Sequence, residues 1–225
     1  LCAAFIAQEK GHQVTLYESG DKLGGNMRLA AYPPGKGDIT NMIRSYIVRC
    51  QKAGVTIKMN QEVTLDLIKE EKPDSVIVAS GSRTLILPIE GIDNPAIIHG
   101  SDLLDGKRAA GKKVLVVGGG MVGCETAAFL GEQNHDVTVI EFRDTVGADV
   151  IHEHRVYLMK DFEDYGIKEI TGAKVCKFYE DGVEYETADG QRHESRGYDS
   201  VILSMGFRNY NPFGEEIKAI VPDTY

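Results

Sequence analysis

The chain carries one helix–strand unit twice. Residues Leu1–Glu18 (LCAAFIAQEKGHQVTLYE) align without a gap on Cys124–Glu141 (CETAAFLGEQNHDVTVIE), which puts Ala4 on Ala127, His12 on His135, Val14 on Val137, Thr15 on Thr138 and Glu18 on Glu141. The second copy is preceded by an apolar, β-rich run, Lys113–Val117, and by Gly118-Gly119-Gly120-Met121-Val122-Gly123, a G-x-G-x-x-G loop. Strand, glycine turn, helix and second strand ending in an acid together form the βαβ cradle that holds a dinucleotide. The first copy begins one residue after the point where the last glycine of an equivalent loop would fall. The expectation is a protein with two nucleotide sites, cut inside the first.

Each part of the second copy has a chemical use. Gly118 permits the tight turn, Gly120 leaves room for a pyrophosphate to approach the backbone, and Gly123 lets the helix lie close to the strand. The helix N-terminus, with Met121 and Val122 in its first turn, presents unpaired N–H groups and a partial positive charge to phosphate. Glu141 can accept hydrogen bonds from the ribose hydroxyls and repels a 2′-phosphate, so NAD is favoured over NADP; Arg143 close by weakens that preference. Glu18 stands in the same relation to the first site and is assigned to the ribose of a second dinucleotide. Gly24 and Gly25, with the Pro/Gly stretch to Gly37, are expected to wall that site. Gly81 and Gly206 end strands at matching places in the two halves, where small residues let a cofactor come close. Glu125 has two readings, a carboxylate placed for the helix dipole or a group that positions nicotinamide. His152 and His154 lack a third ligand of suitable type and read as surface residues at a helix start rather than a metal pair. No catalytic residue and no metal site is assigned.

Patterning supplies the rest of the frame. Helices are expected at 1–10, at 38–53 with Asp38 as N-cap, at 63–70, at 101–104, at 121–133 and at 152–165; strands at 14–18, 55–59, 73–79, 113–117, 136–140, 167–170 and 198–204. Asp181-Gly182 and Asp189-Gly190 turns separate three short segments of an antiparallel meander between 173 and 196. The glycine-rich stretch from Gly20 to Gly37 reads as irregular. Alternating strands and helices imply an α/β fold of two Rossmann-like domains. The first, residues 1–110, is of FAD-binding type and lacks its central strand and glycine loop. Residues 111–206 form the NAD(P)-binding domain, and 207–225 return toward the first domain.

Composition excludes several classes. A net charge of −9 over 225 residues, with Lys and Arg scattered, argues against a nucleic-acid surface. No apolar run is long enough for a membrane span and no signal-peptide layout opens the chain, so the cytoplasm is the expected location. The four cysteines stand singly, without a C-x-x-C pair for dithiol chemistry or zinc, and read as packing residues. A homo-oligomer is compatible with the sequence.

The combination of VTLYE, LGG, AYPPGK, GVTIKMNQEVT, VIVASG, LPIEGID, KVLVVGGGMVGCETAAFL, VTVIE and ILSMGFRNYNP resembles the FAD- and NAD-binding C-terminal region of old-yellow-enzyme-like oxidoreductases. That family includes 2,4-dienoyl-CoA reductase, 2-enoate reductase and trimethylamine dehydrogenase, and the resemblance covers nearly the whole chain. It implies that NADH docks on Gly118–Gly123 and Glu141 and gives hydride to FAD, with electrons passing to an N-terminal barrel that carries FMN and an iron–sulfur cluster. It also implies a first strand, absent here, beside the Val14–Tyr17 strand; without it the isolated fragment is expected to hold FAD poorly. Two other readings stay open: the NADPH-oxidising subunit of a glutamate-synthase-like system, and a non-catalytic NAD-binding redox module.

Overall fold

The computed structural model describes residues 1–225. The chain divides into two units, one of residues 1–31, 36–83 and 209–225, the other of residues 32–35 and 84–208. In the first unit lie α1 (Cys2–Glu9), β1 (Thr15–Glu18), α2 (Asn26–Leu29), α3 (Asp38–Ala53), β2 (Thr56–Met59) and α4 (Leu65–Glu71). The chain leaves it through β3 (Ser82–Thr84). The second unit contains β4 (Ile98–His99), α5 (Gly100–Leu104), β5 (Lys113–Val117), α6 (Met121–Glu132), β6 (Asp136–Ile140), α7 (His152–Asp164) and β7 (Lys168–Ile170), then β8 (Lys174–Tyr179), β9 (Gly182–Glu186), β10 (Arg192–Ser195) and β11 (Ser200–Leu203). The chain returns through β12 (Phe207–Asn209), which pairs with β3, and ends in α8 (Glu216–Ile220).

The second unit is built on a five-stranded parallel sheet in the order β4-β11-β5-β6-β7. Its central strands β5 and β11 carry the apolar runs Val114–Val117 and Val201–Leu203 because both faces are covered. Val114, Val116, Val137, Val139 and Ile202 point to one face, where they pack with Ala127, Leu130, Leu158 and Phe162 of α6 and α7. The alternate residues Leu115, Val117, Ile140, Val201 and Leu203 point to the other and meet Phe178 and Val183 of the antiparallel β8-β9-β10 meander. Helices therefore cover one face and a small second sheet the other. From β5 the chain proceeds through β6 to β7 on one side, while β11 and β4 lie on the other. That reversal makes the end of β5, where the glycine loop leaves, the switch point at which such sheets bind ligands.

The duplicated unit is duplicated down to single hydrogen bonds. At the end of α1, the amide of His12 donates to the Ala7 carbonyl (3.2 Å); at the end of α6, His135 donates to Leu130 (3.1 Å), the aligned pair. The residue that turns each chain out of its helix is left-handed in both, Gly11 at φ 96° and Asn134 at φ 64°, and asparagine tolerates that region better than other side-chain-bearing residues. Correspondence continues beyond the repeat visible in sequence. Val55 donates to Cys50 after α3 and Ile167 to Phe162 after α7 (3.0 and 2.9 Å), and β1 pairs with β2 as β6 pairs with β7, in parallel.

In the first unit the sheet is smaller. β1 and β2 form a two-stranded parallel ribbon, covered by Ala4 and Phe5 of α1 and Cys50 of α3. A second cluster joins Ile68 of α4 to Ile217 and Val221 near the C-terminus.

Four expectations need correction. The run 73–79 is not a ladder strand: Val76 makes a single parallel bridge to Thr224, and Ile77 is 56% exposed. It meets the short segment 223–225 through the Val76, Val78 and Tyr225 amides. Asp38 is the first residue of α3 rather than its cap, which is Gly37; its carboxylate accepts a bond from the Asn41 amide one turn on. The Gly20–Gly37 stretch contains the one-turn helix α2. Residues 84–110, assigned from sequence to the first half, belong to the second unit, because β4 hydrogen-bonds to β11 and adds a strand to its sheet.

Asn134→Val puts a β-branched residue in the left-handed region and is expected to destabilise the second unit by about 1–2 kcal/mol, whereas Asn134→Gly is tolerated. Thermal unfolding midpoints of the two variants compared with the parent measure the difference.

Candidate dinucleotide-binding site

The glycine loop joins the end of β5 to the start of α6 in a turn too tight for side chains. Gly118 sits at φ 104°, and a Cβ there would come within 2.5 Å of the Ser204 carbonyl oxygen at the end of β11. A Cβ on Gly123 would come within 1.7 Å of the Gly118 carbonyl oxygen. The first turn of α6 therefore presses directly on the strand it leaves. Gly119 is enclosed as well, 2.8 Å from the Glu141 Cβ by the same measure. The loop is held from β6 by the Gly118 amide, which donates to Ile140 at 2.9 Å. From the following segment Gly147 donates to the Gly119 carbonyl at 2.7 Å.

Glu141 closes β6 and turns into this loop. One carboxylate oxygen accepts the Gly119 amide at 2.6 Å and the other accepts the Arg143 amide at 2.9 Å. An ionised carboxylate has about four lone-pair directions, so the two bonds fix its plane and leave acceptor capacity for hydroxyl groups. Arg143 contributes its backbone N–H to this arrangement. The aligned acid of the first unit does the same: Glu18 accepts the Gly20 amide at 2.8 Å, two residues on. The chain then returns past each turn in the same manner, with Asn60 donating to Gly20 and Gly172 to Arg143 (3.0 and 2.9 Å).

The other sequence-derived positions separate. Gly24, at φ 110°, is packed so closely on α3 that a Cβ would lie 2.9 Å from Ile43 Cγ2, while Gly25 caps α2 and has open space around its Cα. Gly81 and Gly206, both at positive φ, each accept one amide as the chain crosses between units: Tyr210 donates to Gly81 and Leu85 to Gly206 (3.0 and 2.9 Å). Glu125 is 7% exposed, and its carboxylate meets His154 Nε2 of α7 at 3.1 Å. It joins two helices, a role neither sequence reading of Glu125 contained, and its partner His154 is half-buried. No group of three or more His, Cys, Asp or Glu side chains is arranged to hold a metal ion.

Cys124, behind the loop, is fully buried with its thiol on the Gly119 carbonyl at 3.2 Å. Burial pushes its pKa up from 9.0 to about 12, the opposite of what a thiolate nucleophile requires. Two contacts escaped the sequence reading: the backbone of Ser204 supports the loop, and Asp149 reaches it from 28 residues away. Neither has a local motif.

Over residues 1–221 the chain matches the pyridine nucleotide-disulphide oxidoreductase family, and it belongs to that family, whose members bind FAD and NAD(P)H. Among curated relatives it is 34% identical over 206 residues to a bilirubin reductase of Mediterraneibacter gnavus, covering 92% of this chain and 32% of that protein. It is 33% identical to an NADH oxidase of Thermoanaerobacter brockii, covering 98% and 34%. The structure of a 2-naphthoyl-CoA reductase in complex with 2-naphthoyl-CoA superimposes with a TM-score of 0.91 at 31% identity, over 99% of this chain and 34% of the other. The chain thus spans about a third of the length of the curated relatives it matches. Its fold is the α/β nucleotide-binding fold of this family. No helix is long and apolar enough to cross a membrane.

Gly123→Ala forces α6 away from β5 and is expected to cost about 1–3 kcal/mol or more of stability, read from denaturant unfolding. Cys124 makes a separate prediction with a definite sign. The unfolded thiol loses its proton near pH 9 while the folded one keeps it to about 12, so its contribution to stability falls as pH rises through that window. A Cys124→Ala variant should show a shallower loss of stability between pH 9 and 11 than the parent.

Proposed function

We propose that these residues are the NADH-docking module of a larger flavoenzyme that reduces an enoate or dienoyl-CoA-type substrate. In this reading the dinucleotide pyrophosphate lies over Gly118–Gly123 at the mouth of α6. The Glu141 carboxylate, its plane fixed by the Gly119 and Arg143 amides, receives the adenosine ribose hydroxyls. FAD would supply the two-electron acceptor, with an N-terminal barrel bearing FMN and an iron–sulfur cluster passing the electrons to substrate. Glu18 would meet a ribose of that FAD, Gly24 and Gly25 would border it, and Gly81 and Gly206 would let the backbone approach the two cofactors.

The observation that carries the reading is the convergence of a side-chain-free loop, a helix start and an oriented carboxylate at the switch point of a parallel sheet. The family's cofactors and the relatives' names, an NADH oxidase and a 2-naphthoyl-CoA reductase in complex with 2-naphthoyl-CoA, support the electron donor and the substrate class. The chain's own part in hydride transfer is to hold and orient rather than to move protons, since transfer between stacked rings depends on alignment.

Calorimetric titration tests the site. NADH is expected to bind more tightly than NADPH, because Glu141 repels a 2′-phosphate. Glu141→Gln should weaken NADH about tenfold, the scale of a hydrogen bond to a charged group, and remove the bias against NADPH. Absence of NADH binding by the parent protein would sink the reading.

A further inference from the structure

The segment 142–151 between β6 and α7 is fixed on both sides. Val146 is fully buried and lies 3.0 Å from where a Cβ on Gly119 would be. Gly147 bonds the Gly119 carbonyl, and Val150 donates back to Gly147 at 3.1 Å. The Arg155 guanidinium, on α7, donates to Thr145 Oγ1 at 2.9 Å and to the Val146 carbonyl at 3.1 Å. Held by these contacts, the segment delivers the side chain of Asp149 to the mouth of α6. One carboxylate oxygen accepts the Met121 amide at 2.9 Å. The other lies 3.1 Å from where a Cβ on Gly120 would stand.

An anionic side chain thus covers the same stretch of bare backbone that the glycines leave open. Met121 is the first residue of α6, so its N–H is one of the amides without an intrahelical partner and lies at the positive end of the helix dipole. Phosphate oxygens are drawn to this place for the same reason a carboxylate is.

We infer that Asp149 is a built-in competitor of the dinucleotide pyrophosphate, an inference that rests on the dinucleotide reading of the site. Two anions cannot share the Met121 N–H without like-charge repulsion. The dinucleotide must displace the carboxylate, and since Asp149 is exposed, rotation of one side chain accomplishes this without moving the anchored segment. When the oxidised dinucleotide loosens, the carboxylate recaptures the amide. Asp149 thereby sets an upper limit on dinucleotide affinity and hastens release.

The test is Asp149→Asn, which keeps an oxygen to accept the Met121 N–H and removes the charge, with Asp149→Ser as a second neutral, capping-competent variant. For both, the dissociation constant of NADH is expected to fall about three- to tenfold, chiefly through a slower off-rate measured by stopped flow, the scale of a charge at a helix end. Inorganic pyrophosphate, used as a competitor of NADH, should tighten by a similar factor. Adenosine, which has no phosphate, should compete equally well against parent and variants. Unchanged or weaker NADH and pyrophosphate binding in both variants overturns the inference, as does an equal gain for adenosine, which would mean a general change in the site. If the parent protein binds no NADH, the dinucleotide reading falls and this inference with it; if the parent binds and the variants do not tighten, only the inference falls.

Discussion

The contact between Gly123 and the Gly118 carbonyl governs the second unit. With 1.7 Å between that oxygen and the place a Cβ would take, only a residue without a side chain lets α6 start where it does. Because α6 starts there, its free amides open at the carboxyl edge of the sheet, its small residues Ala127 and Ala128 lie against Val114 and Val116, and the loop comes within reach of Glu141. A carboxylate at the end of β6 then has a loop amide to bind, and the site acquires its shape before any ligand arrives. Pre-organisation of this kind lowers the ordering cost of binding.

Comparison of the two copies separates what is local from what is not. Both end their first helix in a left-handed residue, both close the turn with the same amide-to-carbonyl bond, and both fold the terminal glutamate onto the amide two residues ahead. These features depend on a few neighbouring residues and recur with the sequence. The sheets do not match. In the second unit β5 and β11 supply partners on one side of β6 and β7 on the other; in the first, β1 pairs with β2 alone. The same helix–strand unit is therefore the interior of a parallel sheet buried on both faces in one case and part of a two-stranded ribbon in the other.

Two acids lie near the start of α6 and are held differently. A positive helix end with open amides attracts any nearby carboxylate, and the segment after β6 brings one. Glu125, one turn into the same helix, is buried and meets His154. Two acids close to the same loop therefore have different environments, one buried between helices and one exposed at the opening.

Strands β5, β6 and β11, helices α6 and α7, the meander and the glycine loop were legible because each is specified by period, by turn residues or by a motif within about 20 residues. Glu141 was legible for the same reason, since its spacing from Gly118–Gly123 is part of that motif. The run 73–79 misled because β-rich composition states a preference for extended backbone and says nothing of a partner; it meets the short 223–225 segment. Residues 84–110 were misassigned because the pairing of β4 with β11 joins positions about 100 residues apart. What the sequence determined by itself was the repeated helix–strand unit and the tight glycine turn, since both are written in contiguous residues whose backbone needs only glycine can meet. Tertiary structure alone decided that Asp149 reaches Met121, that Glu125 meets His154 and that Ser204 braces Gly118, because those contacts arise only when packing brings distant segments to the same edge of the sheet.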